Sequence, residues 1–369
     1  MNLFRSIKGR LILFSLCISL IPTAVITTIY YLNARSTVKK QTLDWLTAVA
    51  ESRRLHLLTF MKAKKGRALD FSSDGFIRDS LETINHQGPD AGLTVEELNR
   101  HLLVNKKPLD RDLVEVFVTN LDGVVVSSTN EKTIGMDMSS DKDFLQGRGI
   151  THVKPPFHYT QAGVDCLSIF VPLITKELHE PIGVIVNVIK LEALSDITAE
   201  WDGMGETGEV YLVNRDGIML TESRFTEGVV LKQVVDTEPI SKRAYGEEMT
   251  GIYSNYMGVP VVGASACIPE YGWMLLTEIS RAEALAPLKM LGIVALVIGL
   301  ISAAAVASMG IIFATSTSRP IKRLTDATKR FADGDLKHRV KITRRDEIGT
   351  LAGSFNTMAE ELAKEITER

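Results

Sequence analysis

Between Asp143 and Ser168 the chain gathers side chains of the kind that hold a small polar molecule: Asp143, Phe144, Arg148, His152, Phe157, His158, Tyr159, Asp165 and Ser168. Three of these are aromatic and can form walls, while the carboxylates, imidazoles, guanidinium and hydroxyls can orient a polar end, as a ligand pocket requires. Catalysis is not indicated. No Ser-His-Asp order, Gly-rich phosphate loop or His-x-Glu metal motif stands out. His152 and His158 lie six residues apart around Pro155-Pro156, a spacing without metal-ligand geometry. No cofactor or metal is expected. Each candidate also has a structural reading, since Asp143 fits a helix cap and Phe144 a core position. Arg224 and Tyr245 are weaker candidates further along.

The elements that must position these residues are legible in an internal repeat. Glu115-Val116-Phe117-Val118-Thr119-Asn120-Leu121-Asp122-Gly123-Val124 matches Glu209-Val210-Tyr211-Leu212-Val213-Asn214-Arg215-Asp216-Gly217-Ile218 at an offset of 94. Each copy reads as an apolar strand, an Asn-x-Asp-Gly turn with Gly at positive φ, and a second strand. Each also closes on an apolar strand, Gly183–Ile189 and Gly272–Ile279, followed by Leu191-Glu192-Ala193-Leu194 and Ala282-Glu283-Ala284-Leu285. Two antiparallel sheets, each covered in part by helices, are therefore expected in an α+β arrangement. Before them, Leu43, Leu46, Ala50, Leu57, Leu58 and Met61 predict a long helix over residues 36–70.

Two apolar runs bracket this region. Leu291 to Ala314 is twenty-four residues without a charge, and at ~1.5 Å per residue it reaches ~36 Å, enough for a ~30 Å hydrocarbon core. Leu11 to Leu32 follows Arg5, Lys8 and Arg10 and reads as an uncleaved anchor, because it exceeds a signal-peptide core and no small-x-small cleavage site follows it. Residues 1–10 carry a net charge of +3, and residues 319–369 carry twelve basic and nine acidic side chains. The total of −3 leaves −9 for residues 11–318. Basic ends outside both spans place the termini in the cytoplasm. An acidic region between the spans excludes nucleic acid as a partner. Cys17, Cys166 and Cys267 are read as free thiols rather than a disulfide.

After the second span, Pro320, Ile321, Leu324 and Phe331 begin an amphipathic helix that Gly334 ends. Leu336 and Val340 belong to an extended connector. Asp346, Glu347, Ile348 and Gly349 open a second helix whose apolar residues Ile348, Leu351, Phe355, Met358 and Leu362 step 3, 4, 3 and 4 apart. Neither helix can bury such a seam alone, so two helices from each of two chains in a parallel four-helix bundle are expected.

On these residues, and on Gly135–Phe144 and Thr207–Asn214 in particular, residues 34–285 resemble the double Cache sensor domain, a stalk helix followed by two PAS-like modules. The resemblance implies a membrane-anchored tandem PAS-like α+β fold: cytoplasmic residues 1–10, a span at 11–32, and an extracytoplasmic sensor at 33–286. Within the sensor it places the stalk at 36–70, a distal module at about 75–190 and a proximal module at about 195–285. It also implies that a small molecule binds the distal module, where the Asp143 to Ser168 cluster falls. Amino-acid-binding members carry an Arg-x-Trp-aromatic cluster; here the stretch reads Asp141-Lys142-Asp143-Phe144, which speaks against an α-amino acid held in that way.

Residues 315–367 resemble a HAMP domain through Pro320, the Gly334-Asp335-Leu336 connector and the Asp346-Glu347-Ile348-Gly349 turn. Together the resemblances imply a homodimeric, multi-pass bacterial inner-membrane receptor in contact with lipid, in which a second span at 287–314 drives a relay. The expected parent is a two-component sensor histidine kinase, with a methyl-accepting chemotaxis receptor, a diguanylate cyclase or an output-less membrane binding protein as alternatives. Residues 1–369 contain no phosphoacceptor, ATP-binding or Gly-Gly-Asp-Glu-Phe motif. Residues 368–369 read as the start of a coiled linker, so the chain reads as a fragment whose output domain lies beyond it.

Overall fold

The computed structural model describes residues 7–176, 180–243, 247–335 and 337–368. Leu336 of the expected relay, Tyr245, and Arg5 and Arg369 at the two ends lie outside the described residues. The chain divides into two compact units, residues 37–286 and residues 1–36 with 287–369.

Helix α1 runs Ile7–Ser72 without interruption, so the first span and the stalk are one helix rather than two elements. No glycine or proline lies between Pro22 and Gly66, which removes the usual reasons for a break. In the sensor unit this helix buries Leu46, Ala50, Leu57, Met61, Ala68 and Phe71, a stripe at helical spacing. Helix α2 (Gly75–Gln87) is capped by the Asp74 carboxylate, which accepts from the Phe76 and Ile77 amides. Helix α3 (Gly92–His101) follows a 3₁₀ turn at Gly88–Ala91 and has no side-chain cap.

The distal module follows as β1 (Leu113–Asn120), β2 (Val125–Ser128), α4 (Lys142–Gly147), β3 (His152–Tyr159), β4 (Val164–Ile174) and β5 (Pro181–Lys190). Its antiparallel sheet has the order β2-β1-β5-β4-β3. After α5 (Glu192–Thr198) the proximal module comprises β6 (Glu209–Val213), α6 (Glu238–Arg243), β7 (Thr250–Ser254), β8 (Pro260–Ile268) and β9 (Trp273–Ser280), in the order β6-β9-β8-β7. The repeat is thus two sheets built alike, and its turns match in atomic detail. The Asn120 side chain accepts from the Val124 amide and Asn214 from the Ile218 amide, each at 2.9 Å. Gly123 and Gly217 take φ of 90° and 77°. The copies differ after the turn. Distal β2 is a strand, whereas the proximal segment makes only the bridges Val213 to Met219 and Ile218 to Val234. There the Thr221 hydroxyl, not a backbone carbonyl, accepts from the Leu212 amide.

In each sheet alternate residues face opposite ways. Val116, Val118, Ile185 and Ile189 of the distal sheet, with Val210, Leu212, Leu275 and Ile279 of the proximal one, join the α1 stripe in one core. The opposite faces carry separate clusters around Phe117, Phe144 and Phe170 and around Tyr211, Met274 and Leu276. The polar residues of interest lie on those outer faces.

The sensor unit closes on α7 (Arg281–Ala284); α8 (Ala286–Ala332) then runs through the helical unit, and α9 (Glu347–Glu368) ends the described chain. Two segments, Ile12–Ser72 and Ala286–Ala332, are helices long and apolar enough to cross a membrane. Pro320 lies inside α8 rather than at the start of a separate helix. Its missing N–H leaves the Ser316 carbonyl without a helical donor, and Arg344 Nη1 donates to that oxygen at 2.6 Å. Leu324, Val340 and Phe355 pack with partly buried Phe331 and Ile348. The side chain of Asn356, not singled out in the sequence, accepts from the Val340 amide at 2.8 Å and donates to its carbonyl at 2.9 Å. Leu351, Met358 and Leu362 of the expected seam remain exposed in the single chain. No disulfide forms among the described residues.

Candidate functional site

The outer face of the distal sheet and the turns above it enclose a cavity of about 240 Å³. Its walls are Phe117 of β1, Phe157 of β3, Phe170 of β4 and Val188 of β5, with Met136 and Met138 from the β2–α4 segment. Lys154, Asp141, Ser168 and Gln161 supply polar groups. Asp141 is placed by its role at the start of α4, where it accepts from the Asp143 and Phe144 amides. Its other oxygen accepts from Lys154 Nζ at 2.9 Å, and Asp143 lies 3.3 Å from the same ammonium.

This cluster balances burial against pairing. Burial acts to raise the Asp141 carboxyl, but the Lys154 ammonium and the α4 amides outweigh it and hold the group below the usual carboxylate range. Burial likewise acts to lower Lys154, and Asp141 with Asp143 overcomes it and keeps the ammonium charged. The Lys154 ammonium lies 4.9 Å from the centre of the Phe157 ring, which adds a cation–π contact.

The expected site residues divide into two groups. Phe157, His158, Tyr159 and Ser168 line the cavity. The others support or surround it. His152 Nε2 lies 2.7 Å from Asp143 Oδ1, and His158 Nδ1 lies 2.8 Å from Asp165 Oδ1. Phe144 is fully buried under α4, and Arg148 is exposed at the C-terminal end of that helix, 6.0 Å from the Phe144 ring centre. Lys154 was missed, although it shares a strand face with His152 two residues away. Phe117 and Phe170 were also missed, because alternation alone does not reveal which sheet face is roofed by loops.

A buried carboxylate underlies the cavity. Glu115 is 1% exposed, and its oxygens accept from the Ser128 hydroxyl at 2.6 Å and the Tyr159 hydroxyl at 2.7 Å. Burial, with Glu115 as acceptor, raises the Tyr159 phenol above its ordinary value. Cys166 behind it is pushed up to about 12, chiefly by burial. The repeat places Glu209 at the same position in the proximal module, and there Ser223 and Tyr256 play the same parts, donating at 2.6 Å and 3.1 Å. A charged residue recurring inside an apolar strand was the available sign of this triad in the sequence. Arg224 donates through Nη1 to the Gly208 carbonyl at 2.7 Å and stacks over the Trp201 ring.

Known proteins resemble this chain in sequence and in fold. A family model described as a Cache domain matches residues 32–288, and one described as a HAMP domain matches residues 312–364. The methyl-accepting chemotaxis protein McpA of Pseudomonas putida is 26% identical over 227 residues, covering 60% of this chain and 34% of that protein. The heme sensor protein HssS of Staphylococcus aureus is 46% identical over 59 residues, 15% of this chain and 13% of that one. The chain spans well under half the length of the curated relatives it matches. The sensor domain of the V. cholerae histidine kinase DctB superposes with a TM-score of 0.51 at 12% identity, over 66% of this chain and 98% of the domain, a likeness of fold. With a stalk helix, two sheets of one repeat and a family match over most of its length, the chain belongs to the Cache-domain family and carries a HAMP domain that begins within its second apolar helix.

Proposed function

We propose that this chain is the input half of a homodimeric transmembrane receptor in which a small molecule enters the distal cavity and α8 carries the response to the α8–α9 helix pair. The observation that supports it most is the cavity itself. It has aromatic and thioether walls, with Lys154 and Asp141 forming a paired polar patch at one side. Its volume of about 240 Å³ suits a compact small molecule. An apolar body with one polar end matches the lining.

The reading places the sensor unit outside the cytoplasm, the HAMP helices inside, and lipid around the two apolar helices. The exposed Leu351, Met358 and Leu362 are the surface that a second copy would cover. A histidine kinase is the output we favour, the kind of protein whose DctB sensor domain shares this fold. The similarity to McpA favours a second reading, a chemotaxis receptor. Joining this chain to each kind of output in cells and measuring ligand-dependent signalling separates the two.

Binding is tested with the full chain in lipid nanodiscs against a panel of small carboxylates, amines, purines and amino acids. A ligand at 100 Kd stabilises by about 2.7 kcal/mol, a readily measured shift in unfolding temperature. The shift is expected to disappear in Lys154→Gln and Phe157→Ala. Retention in both, with loss in Arg224→Ala, would move the site out of the distal module.

A further inference from the structure

The repeat that relates the two modules breaks at one buried position. Across β1 and β5, Glu115 pairs with Val188. Across β6 and β9, its counterpart Glu209 pairs with Glu278. Directly opposed residues on one sheet face have their Cβ atoms about 5 Å apart. Both proximal glutamates are 1% exposed.

Among the described residues, the groups that hydrogen-bond this pair are neutral donors. From β6, the Tyr211 hydroxyl donates to Glu278 Oε1 at 2.9 Å. From the segment after β6, the Ser223 hydroxyl and the Arg224 amide donate to Glu209 at 2.6 Å and 3.0 Å. From the β7–β8 turn, Tyr256 donates to Glu209 at 3.1 Å. The residue opposite Glu278 on β8 is Gly263, and Tyr253 of β7 fills the space a side chain would take, its hydroxyl 2.3 Å from where a Cβ would stand. The nearby Arg224 guanidinium turns away to the Gly208 carbonyl and the Trp201 ring. Among the described residues, Glu278 Oε2 and the Tyr253 hydroxyl are buried without a hydrogen bond of ordinary geometry.

Two buried carboxylates side by side without a cation cannot both ionise. We propose that the proximal module contains a proton-binding site, formed by Glu209 and Glu278 with Tyr253 beside them, which holds one proton and has no equivalent in the distal module. Releasing that proton to water leaves two opposed anions between β6 and β9. β9 ends at Ser280 and α8 begins at Ala286, so the site lies on the strand that leads into the second apolar helix. The module thus has an acid–base input separate from the ligand cavity.

Burial, opposed by the Tyr211 and Tyr253 hydroxyls and reinforced by Glu209, pushes the Glu278 carboxyl up to about 7. The folded chain therefore keeps a proton that the unfolded chain loses above about pH 4.3. Stability contributed by the protonated pair is full below that point, falls as pH rises to about 7, and levels off above it.

Infrared titration of the full chain in nanodiscs tests the site directly. The expected result is a protonated-carboxyl band that disappears as pH rises through about 7, is absent in Glu278→Gln, and shifts to lower pH in Glu209→Gln. The unfolding temperature should fall over the same window in the unaltered protein and become flat in Glu278→Gln. Should that variant not fold, Glu278→Val, which copies the distal residue, gives the same reading. Absence of a band titrating near neutrality in the unaltered protein, or its persistence in the Glu278 variants, overturns the proposal.

Discussion

Arg344 donates to the carbonyl oxygen of Ser316, the group that Pro320 deprives of its helical partner, at 2.6 Å. The same guanidinium bonds Asp346 Oδ2 at 2.7 Å, and Asp346 Oδ1 accepts from the Gly349 amide at 3.1 Å at the start of α9. One side chain thus ties the proline site of α8 to the N-terminal cap of the following helix. Burial acts to raise the Asp346 carboxyl, but the Gly349 amide and Arg344 prevail and keep it below its ordinary value.

This link predicts a coupling between Arg344 and Pro320. Arg344→Ala should weaken protection of the α8 amides near Ser316 in hydrogen exchange, by about 1 kcal/mol, the scale of one hydrogen bond. Pro320→Ala restores the N–H, so the arginine change should cost less in that background. A double-mutant cycle with zero coupling would falsify the assignment.

Asn356 holds both polar groups of the Val340 backbone. Asn356→Leu leaves that amide and carbonyl without their side-chain partner, at a cost of about 1–3 kcal/mol. Thermal unfolding of the full chain should show it in the HAMP transition, while the sensor transition stays unchanged. Equal losses in both transitions would count against a local role.

The duplicated turns should respond alike to a methyl group. At Gly123 an added Cβ would stand 2.6 Å from the Ser139 amide nitrogen, and at Gly217 2.7 Å from the Val235 carbonyl, both at positive φ. Gly123→Ala and Gly217→Ala are each expected to cost more than about 1 kcal/mol in denaturant unfolding. Gly163→Ala, also at positive φ but with open space around it, should cost less. Equal costs at all three would show that backbone strain alone, and not the close contacts, sets the effect.

Asp141 predicts the acid limit of the distal module. Its folded value is depressed, so the stability it contributes is complete above the unfolded value of about 3.9 and is lost as pH falls through the lower folded value. The unfolding temperature of the unaltered chain should therefore decline below about pH 4, and Asp141→Asn should lessen that decline. A variant with an unchanged acid slope would assign the loss to other carboxylates.

Much of this architecture is legible from patterns of short range. Hydrophobic period, two uncharged runs and a repeated Asn-x-Asp-Gly turn specify the helices, the apolar segments and the tandem sheets, because those features depend on neighbours a few residues apart. The distal cluster was legible only in part. Phe157, His158, Tyr159 and Ser168 reach the cavity, but Lys154, Phe117 and Phe170 complete it from strands whose roofed face depends on how loops fold back.

The amino-acid sequence by itself determined that the chain holds two copies of one sheet module between two apolar helices, since periodicity and repetition are local properties. Tertiary structure alone decided which copy encloses a cavity and which buries an opposed pair of carboxylates. Glu209 and Glu278 are sixty-nine positions apart in the chain and meet only through the β6–β9 register. The bond from Arg344 to Ser316 likewise depends on a carbonyl left open by one residue and reached by another from a different segment.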